Sequence, residues 1–367
     1  MHEKRNDLFT VLVILFVLLS FAAADIVLKT GEGAEEGNRP YFSLTAFAEG
    51  RYRDEYGQYA QSTVVGKEKW VALLERLELM VGRRELKGVY LGKDGYLFEA
   101  DEPDVREEEL EEKLRLLGQL TDVWDARVML IPSKDNLLAK KLPESAPYYD
   151  ETEVCERVAA RVGAERYVDV YSALASHADE EIYFRTDEHW TALGAFYSYN
   201  AWAEAAGKPK FPYERSDART AMEDCIGELG ARLTLPWGKD SVVYFPETER
   251  RLLSVTYDFL TDSDTMYHEQ WPKEGNPYGF FMDNGHVFTR ITSNRKNGRT
   301  LFVLKDSYAD CFLPFLLAHY ETIYVLEPDG YGDALEPFMR RFGSPETMEV
   351  LVLYNTRSFM ETFDYQE

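Results

Sequence analysis

Short apolar runs alternate with longer amphipathic stretches through most of this chain. The segments Arg127–Pro132 (RVMLIP), Tyr167–Tyr171 (YVDVY) and Phe302–Leu304 (FVL) resemble buried strands, and TIYVLEP and MEVLVLY follow nearer the C-terminus. Between them, leucines at helical spacing mark the segment REEELEEKLRLLGQL, and further helices are predicted after Trp190 and after Ser307. Strands that alternate with helices predict an α/β fold, in which a mostly parallel sheet is flanked by helices on both faces.

Composition and patterning divide the chain into an N-terminal leader and one large folded body. A length of 367 residues with 45% apolar and 14% aromatic content is ample for that body. Within it, Lys93-Asp94-Gly95 between two strand-like runs predicts a hairpin. The predicted parts are a cytoplasmic head (1–7), a membrane anchor (8–28), a helical juxtamembrane arm (29–86) and the body (87–367), which holds a β-rich insertion at about 208–299.

The N-terminal apolar run from Leu8 to Ala24 predicts contact with a membrane. About 17 to 25 apolar residues span a bilayer, so an uncleaved signal anchor accounts for this run. The anchor is the favoured interpretation, and Ala22-Ala23-Ala24 before Asp25, which offers the small-residue site of a cleaved signal peptide, is the alternative. Both interpretations place the body outside the cytoplasm, either tethered to the cell membrane or secreted.

Charge and cysteine usage narrow the classes of function. Sixty-five acidic against 41 basic residues leave a net charge of −24, which repels the phosphates of nucleic acids, so no nucleic-acid partner is expected. The three cysteines form no Cys-x-x-Cys pair. A disulfide between Cys155 and Cys225 is left open, and Cys311 is expected in the core.

Ser307 stands where catalytic groups gather in an open α/β sheet. In such sheets the loops after the C-terminal ends of the strands carry the chemistry. Phe302–Leu304 is the predicted strand, and Ser307 lies on the turn into a helix that is predicted to begin near Tyr308, so its hydroxyl can face solvent. Amides at that turn could stabilise an oxyanion. The alternative is that Asp306 or Ser307 only caps the helix.

A second segment, TDEHWTALGAF, offers a base for that serine. A serine nucleophile needs a histidine, which in turn needs a carboxylate to orient it, and Asp187 and His189 supply both. The alternative is that Thr186 or Asp187 is only a helix cap. His189, His286 and Asp187 could together bind a metal, but no helical His-x-x-x-His or cysteine ligand spacing accompanies them. Neither a metal nor a cofactor is therefore expected.

Two segments together resemble the two signature blocks of the DHHW family: TDEHWTALGAFYSYNAW and LFVLKDSYADCFLPFLLAHYETIYVLEP. Members of this family are exported proteins related to the SGNH-hydrolase-like proteins of alginate O-acetylation. The resemblance extends to GVYLGKDGYLFE and VMLIPSKDNLLAKKLP. It implies an SGNH-hydrolase-like, doubly wound sheet, with Ser307 as nucleophile, His189 as base and Asp187 as the orienting carboxylate.

The chain departs from the family pattern at three places. Glu188 replaces a histidine of the signature, and this chain, like its closer relatives, has Lys305 where the SGNH serine block usually has the glycine of Gly-Asp-Ser. The sequence Asp283–His286 (DNGH) shifts the asparagine of a Gly-Gly-Asn-His block, so Asn284 is either an oxyanion donor or a turn residue. Tyr308 and Trp190 are further predicted to line the site, with packing under His189 as the alternative for Trp190.

The resemblance implies an extracytoplasmic serine enzyme that transfers an acyl group, most simply acetyl, to a cell-envelope or exported polysaccharide. A membrane protein that delivers the acyl group is an expected partner. An acetyl esterase would use the same acyl-serine intermediate, and water would replace the sugar hydroxyl as acceptor. A non-catalytic glycan-binding or assembly protein on the same scaffold is the alternative from another class.

Overall fold

The computed structural model describes residues 67–100, 106–144, 146–210 and 213–366, together with residues 45 and 51. The predicted head, the anchor and most of the arm lie outside these residues. The chain divides after Val81 into two compact units. In the first, helix α1 (Lys67–Met80) confirms the helical pattern of its sequence. Within the ranges described, no helix is both long and apolar enough to cross a bilayer.

A seven-stranded mixed sheet forms the centre of the second unit. Its strands are β4 (Ala126–Ile131), β7 (Leu252–Tyr257), β8 (Thr261–Ser263), β9 (Phe288–Ser293), β10 (Thr300–Lys305), β11 (Thr322–Leu326) and β12 (Met348–Asn355). Their order across the sheet is β4-β12-β10-β11-β9-β7-β8, in which the first four strands are parallel and the last three are antiparallel. Both faces are covered by helices, which confirms the α/β class.

The strands outside this sheet form two small sheets. The predicted hairpin is present as an antiparallel pair joined through Lys93–Gly95 and extended by a third short strand. The other small sheet lies in segment 208–299, whose remaining strands β7, β8 and β9 continue the central sheet. The strands concerned are β1 (Glu85–Leu86), β2 (Val89–Leu91), β3 (Leu97–Glu99), β5 (Arg219–Cys225) and β6 (Asp240–Tyr244).

Two apolar cores lie on the two faces of the central sheet. The helices of the second unit are α2 (Glu107–Val123), α3 (Lys134–Leu137), α4 (Thr152–Val162), α5 (Tyr171–Ala175), α6 (Ala192–Ala205), α7 (Glu228–Ala231), α8 (Pro246–Glu249), α9 (Gln270–Lys273), α10 (Leu313–Leu316), α11 (Leu335–Met339) and α12 (Thr356–Thr362). One core is packed by the leucine stripe of α2 together with α4, α11 and α12, and the other core is packed by α6 and α10.

One predicted strand is wrong, and one predicted helix is divided into two short pieces. Tyr167–Tyr171 is not a strand: Tyr167 makes a single parallel bridge to Val128, and the Asp169 side chain accepts a hydrogen bond from the Tyr171 amide, which turns the chain into α5. The helix after Ser307 is not continuous, because a 3-10 turn at Ser307–Cys311 precedes the four-residue α10. Pro314, inside α10, lacks the N–H that a continuous helix would use.

The three cysteines are free thiols, so the disulfide left open by the sequence does not form. Cys311 is buried in the core as predicted. The Cys225 thiol donates to the Asp240 carbonyl oxygen (3.2 Å).

Candidate active site

Ser307 is the second residue after the end of β10 and begins the 3-10 turn. Asp306 precedes it in an extended conformation, and its Oδ1 accepts a hydrogen bond from the Tyr308 amide (3.0 Å). The other carboxylate oxygen, Oδ2, accepts from the Asn355 amide at the end of β12 (2.8 Å). Asp306 therefore caps the turn and ties it to the neighbouring strand, while the Ser307 side chain remains partly exposed. The capping alternative belongs to Asp306, which leaves the Ser307 hydroxyl available.

Ser307, His189 and Asp187 form one continuous chain of hydrogen bonds. The His189 Nε2 lies 2.8 Å from the Ser307 Oγ, and the His189 Nδ1 lies 2.6 Å from the Asp187 Oδ1. Asp187 Oδ1 also accepts from the His189 amide (3.1 Å), and Oδ2 accepts from the Glu228 amide (3.2 Å). Because Asp187 accepts at Nδ1, the proton of a neutral imidazole lies there, and Nε2 faces the serine as an acceptor.

The electrostatics of the pair favour an ionised Asp187. Burial raises the pKa of this carboxyl, but the charge of His189 and the hydrogen bonds from its ring and from two amides outweigh burial and hold the pKa at about 2. Burial likewise lowers the pKa of His189, and the negative charge of Asp187 more than reverses this effect, so the pKa of the imidazole is raised. The imidazolium that would form during proton transfer is thereby stabilised.

Tyr278 packs against the histidine and was not anticipated from the sequence. Its ring stacks on the imidazole of His189, with centroids 3.7 Å apart and planes inclined by 7°. Its hydroxyl lies 2.9 Å from the carbonyl oxygen of Ser307 and 3.0 Å from that of Tyr308. A single buried side chain therefore contacts both halves of the candidate site. No local motif marks this tyrosine, since the contacts join segments 29 residues or more apart in the chain.

The loop that carries Asp187 and His189 is clamped from several sides. Asp240 on β6 accepts from the amides of Arg185 (2.5 Å) and Thr186 (2.8 Å). The Lys134 ammonium, at the start of α3, donates to the carbonyl oxygen of Asp187 (2.6 Å). Burial lowers the pKa of Lys134 to about 8 even though neighbouring carboxylates oppose this shift. The loop is held on both sides before any substrate binds.

Gly227 allows a neighbouring segment to approach the loop closely. Its amide donates to the Thr186 Oγ1 (2.8 Å). A Cβ at this position would lie 2.4 Å from the Asp187 Cβ, so only glycine permits this contact without displacement.

The other predicted site residues fall into different places. Tyr308 is at the site: its ring centroid lies 4.9 Å from that of His189, and its hydroxyl donates to the carbonyl oxygen of Glu188 (2.8 Å). Trp190 is fully buried and donates from Nε1 to the Tyr308 carbonyl oxygen (2.7 Å), which favours the packing alternative. Asn284 is exposed at φ 64° and its amide oxygen accepts from Asn276 (2.5 Å), as expected of the turn alternative.

His286 lies in a separate cluster. Its Nδ1 is 2.8 Å from the Asp258 Oδ2, and its ring stacks on Tyr257 with centroids 4.2 Å apart. In the ranges that the structure describes, no group of three His, Cys, Asp or Glu side chains has the geometry of a metal site.

Lys305, which stands where the SGNH serine block usually has glycine, is held by two carboxylates. The Lys305 ammonium is buried and pairs with Asp310 (2.9 Å) and Glu327 (3.0 Å). Burial lowers the pKa of this lysine, but the two carboxylates more than compensate and raise it. The departure at position 305 therefore builds an ion-pair network beneath the turn.

The comparisons with known proteins agree with this architecture. A sequence profile described as DHHW protein matches residues 157–326, which include Asp187, His189 and Ser307. Among curated proteins, none is similar enough in sequence to count as a match. A DHHW family protein from Eubacterium siraeum is 22% identical in sequence, with a TM-score of 0.60 over 77% of this chain and 97% of that chain.

Two further solved structures are similar. PatB1 of Bacillus cereus, in a structure with a sulfonyl adduct, is 19% identical, with a TM-score of 0.61 over 76% of this chain and all of that chain (100%). The O-acetyltransferase domain of Pseudomonas putida AlgJ is 16% identical, with a TM-score of 0.45 over 76% of this chain and 94% of that chain. Residues 157–326 thus match the DHHW family profile, and the fold is similar to that of the Eubacterium siraeum DHHW family protein.

Proposed function

We propose that this protein is a serine acyltransferase that forms an acyl-serine intermediate at Ser307 and passes the acyl group, most simply acetyl, to a hydroxyl of a cell-envelope or exported polysaccharide. The observation that carries the proposal is the hydrogen-bonded chain from Asp187 through His189 to Ser307, with atoms 2.6 and 2.8 Å apart. A buried carboxylate, an imidazole with a raised pKa and a partly exposed hydroxyl have the arrangement needed for nucleophilic catalysis.

The first half-reaction acylates the serine. His189 Nε2 takes the hydroxyl proton as Ser307 Oγ attacks the acyl carbonyl carbon of the donor. The tetrahedral intermediate collapses, the bond to the leaving group breaks, and the imidazolium returns its proton to that group. Asp187 remains ionised throughout and stabilises the imidazolium.

The negative charge on the tetrahedral oxygen requires hydrogen-bond donors. The amide of Ser307 is our candidate, because the first residue of a 3-10 turn has no partner for its N–H within that turn. We do not assign this role to Asn284, which is an exposed turn residue at φ 64°.

The second half-reaction reverses the proton transfers. A sugar hydroxyl attacks the acyl-serine while His189 takes its proton, and the proton then returns to Ser307 Oγ as the acyl bond to the enzyme breaks. Water in place of the sugar would make the protein an acetyl esterase. Both reactions use the same three side chains, so the acceptor pocket decides between them.

We further propose that the N-terminal apolar run tethers this catalytic body to the outer side of the cell membrane, where a membrane protein supplies the acyl group. Support comes from the sequence alone: an apolar run between Leu8 and Ala24 follows a short charged head. A cleaved signal would give a secreted enzyme with the same site.

The proposal is tested by acetyl release from a chromogenic acetyl ester. The full chain should release acetate, and Ser307→Ala and His189→Ala should each lower kcat/KM by about 10³-fold or more. Ser172→Ala, which changes an exposed serine on α5, is the matched control and should retain activity. An active Ser307→Ala variant would refute serine acylation at this site. An inactive but folded wild-type chain would favour the non-catalytic glycan-binding alternative.

A further inference from the structure

A cavity of about 360 Å³ opens beside the proposed nucleophile. Tyr308, the residue after Ser307, and Glu188, the residue before His189, both line it. Its volume lies in the range of small-molecule sites. Since neighbours of both reacting side chains form its wall, this cavity is placed to hold the group that receives or delivers the acyl unit.

Carboxylates outnumber cations in the lining of this cavity. Three cationic side chains contribute, and two of them are arginines already paired with lining glutamates: Arg232 with Glu228 (2.9 Å) and Arg357 with Glu361 (3.1 Å). Glu99 is a second partner of Arg232, with the two charged groups 3.3 Å apart. A negatively charged ligand would have to displace these pairs.

The third cation, Lys134, is also engaged. Its ammonium donates to the carbonyl oxygens of Asp187 (2.6 Å) and Phe184 (3.2 Å) beneath the candidate site. It is buried and holds the loop, so a ligand carboxylate that recruited it would loosen the candidate triad.

Glu188 is the lining carboxylate next to the reacting atoms. Its Oε1 lies 3.8 Å from the His189 Nε2, and 39% of its side chain is exposed. Burial raises the pKa of Glu188, and the attraction of His189 only partly offsets that effect. An ionised carboxylate accepts hydrogen bonds and donates none, whereas a histidine, which the family signature carries here, can also donate. This substitution changes which ligand groups the cavity can hold.

We propose that Glu188 makes this cavity selective for a glycosyl unit whose polar groups are hydrogen-bond donors, above all an amine-bearing sugar, and that it disfavours a uronic acid. The inference rests on the proposed function, since it assigns the acceptor of the same site. Glu188 is a specificity-determining residue in this account, and the carboxylate excess around it supplies the discrimination by charge.

The test is a binding measurement on Ser307→Ala full chain, which cannot form the acyl-serine. Three β-1,4-linked tetrasaccharides are titrated by calorimetry at neutral pH and about 0.15 M salt: a glucosamine, a glucose and a mannuronate oligomer. The glucosamine oligomer should bind most tightly and the mannuronate oligomer least tightly. Mannuronate binding equal to or tighter than glucosamine binding, or no binding by any of the three, would overturn the proposal.

Glu188→Gln, added to Ser307→Ala, separates the local effect from the overall negative charge of the protein. The ratio of glucosamine to mannuronate affinity should fall by about two- to fivefold, the range expected for a partly exposed ion pair. Glu223→Gln changes an exposed carboxylate on β5, outside the cavity lining, and should leave the ratio unchanged. An equal effect of both substitutions would overturn the role of Glu188.

The binding and ester assays distinguish the two proposals. Intact selectivity together with a lack of ester activity would refute the proposed function and leave the binding site. Ester activity without selectivity would refute the proposed selectivity of the cavity and leave the proposed function intact.

Discussion

Replacing Gly227 with alanine should displace Asp187 without straining the backbone. An added Cβ would lie 2.4 Å from the Asp187 Cβ and 2.7 Å from its Oδ2. Carbon atoms in contact normally stand about 3.5–4.0 Å apart, so one of the two segments must move by about 1 Å. Gly227 has φ −85°, which alanine adopts readily, so the expected effect arises from the contact alone.

That displacement acts on the shortest contact of the candidate triad. Asp187 Oδ1 stands 2.6 Å from the His189 Nδ1, and a shift of about 1 Å breaks this hydrogen bond. Overpacking of this kind costs about 1–3 kcal/mol of stability, and misplacing a catalytic group by about 1 Å can lower the rate about 10²-fold.

The assay compares kcat/KM for a chromogenic acetyl ester, and the melting temperature, between Gly227→Ala and Gly332→Ala. A Cβ at position 332 would meet nothing within 4 Å, so the second variant controls for the glycine-to-alanine change itself. Both kcat/KM and melting temperature should fall in Gly227→Ala alone. If the two variants behave alike, the close approach that we describe does not support the site.

Three further outcomes are expected. Lys305→Met should lower the free energy of unfolding by about 3 kcal/mol in urea titrations, because it leaves two carboxylates beneath the turn without their cation. A loss below about 1 kcal/mol would contradict a stabilising role for these buried ion pairs. Tyr278→Phe keeps the ring against the imidazole and should lower the free energy of unfolding by about 0.5–1.5 kcal/mol. Tyr278→Ala removes the ring as well and should lower it by about 3–5 kcal/mol; equal losses would rule out a contribution from stacking. The ester kcat/KM should rise with pH through the raised pKa of His189, since only neutral imidazole accepts a proton. Asp187→Asn should move this rise to lower pH; an unchanged pH profile would show that Asp187 does not raise the pKa of His189.

The same pKa shifts predict how stability depends on pH. His189 has a raised pKa in the folded state, so its contribution is fully present below the ordinary value of 6.5 and is lost as pH rises through the folded-state pKa. Asp187 has a lowered pKa, so its contribution is present above the ordinary value of 3.8 and is lost as pH falls through about 2.

The sequence predicted best those elements whose signal is local. Strands buried on both faces, such as β10 and β12, read as unbroken apolar runs, and the leucine stripe of α2 has a helical period. The prediction failed where one polar or cyclic side chain redirected the backbone. Asp169 ends the run that resembled a strand, and Pro314 interrupts the run that resembled a helix.

The three residues of the candidate triad were predicted from two short motifs, and the structure brings those motifs together across 118 residues. Tyr278 and Asp240 were missed because nothing beside them in the chain marks their contacts, which join segments that are distant in the sequence. His319 has a structural place in the core: its Nε2 lies 2.8 Å from the Tyr199 hydroxyl, and burial lowers its pKa to about 4, so it is neutral at pH 7.

The central claim, that Ser307 becomes acylated, is tested most directly by peptide mass spectrometry of the full chain quenched during turnover of an acetyl ester. A sulfonyl fluoride, which reacts with activated serine hydroxyls, serves as a second probe. The account predicts a mass increase on the peptide that contains Ser307, lost in Ser307→Ala and slowed strongly in His189→Ala. An adduct on another residue, or acetate release by wild type with Ser307 unmodified under both probes, would contradict it.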